Sequence, residues 1–367
     1  MKIICVAGTR PEAIKMAPVI LELKKNKSFD VRVLATAQHR QMLDQVFAVF
    51  NIVPDIDLDI MQPNQSLPTL TARLLLKLDE VLQLEKPDVV LAQGDTTTVM
   101  TVALACFYLR IPFGHIEAGL RTWDMENPFP EEMNRVVAGR LAKWHFAPTE
   151  SSRGNLLKEN VSPEKIWVTG NTVIDALQSV SAVQLPLDLP IDKSKRLILV
   201  TAHRRENFGL PYIEICKAVK HIADKNSDVQ ILYPVHPNPN VKETAYELLD
   251  GHPQIILCPP LDYLPFVAAM QRAHIILSDS GGVQEEAPAL GKPVLVLRCE
   301  TERPEAVDAG VVKLVGPNFD AIVKECQLLL DSEEAYSAVA RGVSPYGDGK
   351  AAERIHKILS EYAAQCA

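Results

Sequence analysis

The chain has 367 residues, 47% of them hydrophobic and 23% charged, with a formal net charge of −8. That length suits two or more domains of ordinary globular composition. The acidic balance argues against a nucleic-acid partner or an anionic membrane surface, so any anionic substrate must be met by a local cluster of Arg and Lys. The first residues read as a strand with no signal-peptide anatomy, and no apolar run is long enough to span a bilayer. Seven cysteines (Cys5, Cys106, Cys216, Cys258, Cys299, Cys326, Cys366) lie far apart without a Cys-x-x-Cys pair. They read as reduced, mostly buried thiols of a cytoplasmic protein.

Taken in order, strand and helix signals alternate. Apolar runs rich in Val and Ile at 3–7, 31–35, 89–92, 113–116 and 145–147 read as buried parallel strands. Amphipathic helices are predicted between them, for example over 11–25 and 67–84, with Pro11 suited to a first helical turn. The stretch 179–195, with Pro186 and Pro190, reads as a linker or long loop. The same grammar then restarts, with strands at 197–201, 230–233, 255–257, 275–277 and 294–297 and a last helix over 351–364. The expected fold is α/β: two doubly wound Rossmann-like domains, 1–168 and 169–350, facing a cleft that serves as the default ligand site.

The chemistry-bearing residues sit where strands end. Ala7-Gly8-Thr9-Arg10-Pro11-Glu12-Ala13-Ile14-Lys15 runs from a strand through a glycine turn into a helix, and Arg10 and Lys15 near that helix start suit an anion. In Gln93-Gly94-Asp95-Thr96-Thr97-Thr98, Asp95 is either a helix N-cap or a carboxylate set at the sheet's end. Glu117 ends the strand before Ala118-Gly119-Leu120-Arg121, and Glu131-Glu132 open a helix that carries Arg135 one turn on. The Glu131-Glu132 pair either favours a helix N-terminus or joins Glu117 in moving protons. Thr201-Ala202-His203-Arg204-Arg205-Glu206-Asn207 places a histidine and two arginines at the first strand end of the second domain. The most specific local pattern is Leu277-Ser278-Asp279-Ser280-Gly281-Gly282-Val283-Gln284-Glu285-Glu286, where glycines let a diphosphate approach backbone N–H groups, Arg303 adds a donor, and Glu286 is placed to accept from ribose hydroxyls.

Three other patterns fail. His115-x-Glu117 has deaminase spacing but no Pro-Cys-x-x-Cys follows. Asp55, Asp57 and Asp59 alternate with Ile and Leu as one polar strand face. Tyr346-x-x-x-Lys350 lies in a glycine-rich loop without a dinucleotide fingerprint. Neither a metal nor a nicotinamide cofactor is expected.

Taken together, Gly8-Thr9-Arg10-Pro11-Glu12, Gln93-Gly94-Asp95-Thr96, His115-Ile116-Glu117-Ala118-Gly119-Leu120-Arg121, Pro130-Glu131-Glu132-x-Asn134-Arg135, His203-Arg204-Arg205-Glu206 and Asp279-Ser280-Gly281-Gly282-x-Gln284-Glu285-Glu286 resemble the non-hydrolysing bacterial UDP-N-acetylglucosamine 2-epimerases. The resemblance runs from Met1 to about Ile358. It implies a glycosyltransferase-B fold with the C-terminal helix, 351–367, packing back on the first domain. It implies interconversion of UDP-N-acetylglucosamine and UDP-N-acetylmannosamine by loss and re-addition of UDP through a 2-acetamidoglucal, with no cofactor and no metal, in a homodimer. Carried over residue by residue, Asp95, Glu117 and Glu131 become catalytic carboxylates and His203 the group at the diphosphate. Crowding is expected to raise the pKa of at least one of the carboxylates. Arg10, Lys15, Arg135, Ser280, Gly281, Gly282, Glu286 and Arg303 become substrate contacts, and Phe266 the uracil wall. Gln38, His39, Gln41 and His236 match an effector site of some members, but Asn64 stands where those members carry arginine.

Overall fold

The computed structural model describes residues 1–36, 40–62, 65–182, 185, 187–301 and 303–366. These form two compact units, one of residues 1–176 with 346–367 and one of residues 177–345.

The first unit is built on a parallel sheet of β1 (Lys2–Ala7), β2 (Asp30–Ala35), β3 (Ile56–Asp57), β4 (Val89–Gln93), β5 (Phe113–Ile116), β6 (Trp144–Ala147) and β7 (Ile166–Val168). The crossovers are α1 (Arg10–Lys24), α2 (Arg40–Val49), α3 (Leu67–Glu85), α4 (Thr97–Leu109), α5 (Glu131–Leu141) and α6 (Glu150–Lys158); α7 (Thr172–Ser181) follows β7. The strand order is β3-β2-β1-β4-β5-β6-β7, so the winding reverses between β1 and β4. Every residue of β4 is buried, as a central strand covered on both faces requires. Leu70, Leu74, Leu78 and Leu82 recur every fourth residue along α3 and form one stripe against Val99, Val102, Ala103 and Cys106 of α4.

The second unit repeats the plan with β8 (Arg196–Thr201), α8 (Leu210–Lys225), β9 (Val229–Pro234), α9 (Pro239–Leu249), β10 (Ile255–Cys258), α10 (Tyr263–Arg272), β11 (Ile275–Ser278), α11 (Gly281–Ala289), β12 (Val294–Val296), α12 (Pro304–Asp308), β13 (Val312–Leu314), α13 (Phe319–Asp331) and α14 (Glu333–Val339). Its order, β10-β9-β8-β11-β12-β13, reverses between β8 and β11. Ile198, Val200, Ile215, Val219, Ile231, Leu277 and Ile322 lie in its core.

The final helix, α15 (Ala351–Cys366), belongs to the first unit. The Ala352 N–H donates to Asp175 at 2.8 Å, His356 meets the edge of Phe29, and Tyr362 meets the edge of Trp144. Cys5, Cys106, Cys216, Cys258 and Cys326 are free and buried, and Cys299 is free and exposed. Burial pushes the thiols of Cys5, Cys106, Cys216 and Cys326 up to about 12. No helix among the described residues is long and apolar enough to cross a membrane.

Two expectations need revision. Of the alternating stretch 55–59, only Ile56–Asp57 forms a strand; Asp55 instead accepts the Val33 N–H through its side chain, and Asp59 turns left-handed at φ 45°. The short strands β7 and β13 add to those legible in the sequence, because three residues at a sheet edge give too brief an apolar signal.

Candidate active site

In a doubly wound sheet, ligands bind beyond the carboxyl ends of the strands where the winding reverses. In the first unit that place is occupied by the loops after β1, β4 and β5. Ile116 pairs with Gln93 across β5 and β4, so Glu117 and Asp95 leave neighbouring strand ends. Glu117 takes φ 64°, the left-handed region that non-glycine residues rarely adopt. Its carboxylate is gripped by the Lys15 ammonium at 2.5 Å and the Gln93 amide at 3.0 Å. Lys15 and Glu117 are both nearly buried, so this is a largely desolvated pair whose separation would leave a buried charge uncompensated.

Asp95 is held from several sides. Its carbonyl accepts the Asn134 amide at 2.9 Å, and its carboxylate lies 3.4 Å from the Arg135 guanidinium. The Gly94 N–H donates to the Ile116 carbonyl at 3.0 Å, and the Gly94 carbonyl meets His115 Nε2 at 2.7 Å. Burial lowers His115 to about 4, so it is a neutral imidazole at physiological pH and donates that bond from Nε2. Thr96, not Asp95, caps α4 through its hydroxyl. This frees the Asp95 side chain from the capping role that its position after β4 allowed.

Glu131 and Glu132 part company. Glu132 is buried and accepts the N–H groups of Thr122 and Trp123 at 3.0–3.1 Å, tying down the loop before α5, and it also faces Arg135 at 3.3 Å. Glu131 is half-buried at the first position of α5. Arg10 opens α1, half-buried, and Lys15 lies one turn further on.

Sequence reasoning missed Glu12. Its buried carboxylate accepts the N–H groups of Gly8 and Thr9 at 2.5 and 2.9 Å and the Thr96 hydroxyl at 2.5 Å, so it ties the loop after β1 to the loop that carries Asp95. Burial, with a smaller push from Asp95, raises it to about 7. The Thr9-x-x-Glu12 capping box was the signal available to find it. A Cβ at Gly8 would collide with the Thr36 hydroxyl and stand 2.8 Å from that of Thr98, so any side chain there would force these threonines to shift.

In the second unit the reversal lies between β8 and β11. There Asp279, fully buried, receives the N–H groups of His203 and Arg204 at 2.9 and 2.8 Å and the Asn207 amide at 3.1 Å. The His203 ring is partly exposed and stacks on exposed His236 with centroids 5.3 Å apart. Burial lowers His203; Asp279 opposes that shift, while His236 and Arg204 add to it. After β11, Ser280 precedes α11 but its side chain makes no cap bond. The Arg303 guanidinium lies over Gly281, 2.5 Å from where a Cβ would stand, and its Nε donates to buried Glu285 at 2.7 Å. Glu286 Oε1 lies 3.4 Å from the corresponding point on Gly282. Phe266 is half-buried on the first turn of α10.

Within the first unit the structure thus brings Lys15 to Glu117 and Asp95 to Arg135. Within the second it brings Arg303 to Gly281, Glu286 to Gly282 and His203 to His236. Gln38, His39 and Asn64 lie outside the described residues, as does the side chain of Gln41. Among the described residues no group of three or more His, Cys, Asp or Glu is placed to hold a metal ion.

Two doubly wound units, each with its charged side chains gathered where the winding reverses, define a two-domain α/β protein of the glycosyltransferase-B type. The glycotransferase of kitacinnamycin, 12% identical with a TM-score of 0.66 over 98% of both chains, shares that fold alone. The chain belongs to the UDP-N-acetylglucosamine 2-epimerase family, whose model matches residues 21–360. It is 54% identical to the UDP-N-acetylglucosamine 2-epimerase of Escherichia coli K12, over 98% of each chain. It is also similar to the crystal structure of the Neisseria meningitidis UDP-GlcNAc 2-epimerase bound to UDP-GlcNAc, with 49% identity and a TM-score of 0.92, over 98% of this chain and 100% of that one.

Proposed function

We propose that this chain interconverts UDP-N-acetylglucosamine and UDP-N-acetylmannosamine without hydrolysis, by elimination of UDP to a 2-acetamidoglucal and its re-addition. The product supplies N-acetylmannosamine units for a bacterial surface polysaccharide. The observation that carries this reading is the pairing of Glu117 with Lys15 and Asp95 with Arg135 at the ends of neighbouring strands. The hydrogen on carbon 2 is not next to a carbonyl, so its removal needs an oriented base and a leaving group stabilised as it departs. Asp95, Glu117 and Glu131 are the proposed proton-transfer groups, with Lys15 and Arg135 fixing two of them. The UDP-GlcNAc bound to the Neisseria relative supports the same ligand here, and UDP is its leaving group. Ser280, Gly281, Gly282, Glu286 and Arg303 are the proposed UDP cradle, Phe266 its uracil wall, and His203 the group at the diphosphate. Arg10 is a proposed substrate contact. A cytoplasmic homodimer is the proposed setting.

Proton NMR with UDP-N-acetylglucosamine in heavy water tests the reaction. UDP-N-acetylmannosamine appears, and deuterium enters carbon 2 of both epimers. Free N-acetylmannosamine with UDP would instead assign a hydrolysing epimerase, and binding without reaction would leave a transferase or a sugar-nucleotide sensor. Glu117→Ala is expected to lose about 10²–10⁴-fold in turnover while still binding UDP in calorimetry; near-normal turnover removes Glu117 from the mechanism.

A further inference from the structure

Asp279 does more than close the loop after β8. Its Oδ2 is saturated by His203 N–H, Arg204 N–H and the Asn207 amide. Its Oδ1 is equally buried, makes no hydrogen bond, and lies 3.7 Å from His203 Nδ1. A buried carboxylate oxygen with no donor is costly and rarely retained. Here the missing donor is in place as a ring nitrogen that carries a hydrogen only in one tautomer or when the imidazole is protonated. With Nδ1 turned to Asp279, Nε2 is the nitrogen available to a ligand.

We propose that Asp279 is a positioning residue that loads His203 with a proton when a nucleoside diphosphate binds. The Nδ1–H closes on Asp279 Oδ1, and the imidazolium presents Nε2–H to the diphosphate. This rests on the reading that this end of the second unit binds UDP. The proton comes from solvent. When the bond between carbon 1 and the diphosphate oxygen breaks, its electron pair stays on that oxygen, and the imidazolium stabilises it by a charge-assisted hydrogen bond. Re-addition reverses the step with His203 still protonated. The groups facing His203 agree with such a switch. The partial loss of solvent around a ring that stays partly exposed, His236 stacked from the loop after β9, and Arg204 beside it all favour the neutral ring without ligand. Asp279, from the loop after β11, favours the charged one. An arriving polyanion tips the balance.

The test is calorimetry of UDP binding to the full chain near pH 7.5 in buffers of low and high ionisation enthalpy. A terminal phosphate with a pKa of about 6 is then largely ionised, and His203→Gln reports whatever protons remain the ligand's own. The native chain is expected to take up roughly half to one proton per UDP beyond that variant. Asp279→Asn keeps an oxygen for the three donors but turns an amide N–H toward Nδ1, and is expected to lose most of the uptake. Its kcat should fall off about one pH unit earlier on the alkaline side. UDP binding by the native chain without proton uptake, or undiminished uptake in Asp279→Asn, overturns the proposal and leaves the UDP reading intact. No UDP binding at all overturns the reading itself. Should Asp279→Asn fail to fold, nitrogen-15 spectra of the native histidines decide: an imidazolium at His203 with UDP bound supports the proposal, and a neutral ring overturns it.

Discussion

Glu12 shows how one buried side chain sets behaviour that no motif announces. Its carboxyl sits at about 7 in the folded chain against an ordinary 4.5, because burial disfavours its charge. The folded state therefore holds this proton more tightly than the unfolded one. The stabilisation is complete below the ordinary value and is lost as pH rises through about 7, about 3 kcal/mol at most. Buried His115, lowered to about 4, and His145, lowered to about 3, act oppositely: their contribution is present above the ordinary imidazole range and is lost as pH falls through these values. The informative quantity is thus a difference. Glu12→Gln keeps an oxygen for Gly8 and Thr9 and points an amide at Thr96, mimicking the protonated acid. Urea unfolding at several pH values from about 5 to 8 should show the stability of this variant relative to the native chain rising with pH, by up to about 3 kcal/mol. A constant offset would mean that Glu12 does not titrate in that range. The sequence spells the capping box, yet the bond to Thr96, 84 residues away, appears only once β1 and β4 are neighbours. The grip of Asp279 on the His203 turn, 76 residues away, was hidden for the same reason.

At the level of elements, legibility followed length and burial. Long stripes such as that of α3, and fully apolar strands such as β4, carry a period that no other arrangement explains. The glycine turn before α11 was also legible, because Ser-Gly-Gly after an apolar strand has few other uses. What the pattern did not contain is how tightly Arg303 lies on that turn. A methyl at Gly281 would sit 2.5 Å from the guanidinium carbon, while Arg303 is tied to buried Glu285. Gly281→Ala should therefore leave the helix intact, since alanine is the better helix former by about 1 kcal/mol. The guanidinium must move instead, and with it a proposed diphosphate donor. Calorimetry should show UDP affinity reduced by about tenfold or more, with thermal stability changed by only a few degrees. Unchanged affinity would remove Arg303 from the cradle.

For the whole molecule, the residues left uncovered matter most. α4 is apolar on every side. Its inner positions pack against α3 and the sheet, but Met100, Leu104, Phe107 and Tyr108, spaced by four, three and one, form a second stripe. Phe107 is 60% exposed and Tyr108 64%. On α3, Leu76 at 68% and Leu84 at 79% extend the same apolar character. A helix that is hydrophobic all round is normally buried all round, and exposed apolar patches of this kind mark association surfaces. This supports the proposed homodimer, because a two-fold contact brings the same patch of each copy onto itself and covers both. An assembly stable at micromolar concentration needs an interface above about 1,000 Å², so the contact would extend beyond the exposed rings of Phe107 and Tyr108. Light scattering after gel filtration should then give twice the 40.6 kDa of the chain. Phe107→Glu, which places a charge where the partner's stripe would lie, should yield folded monomer with its circular dichroism preserved. A native chain that elutes as a monomer at micromolar concentration would refute the dimer, and a dimeric Phe107→Glu would move its interface away from α4.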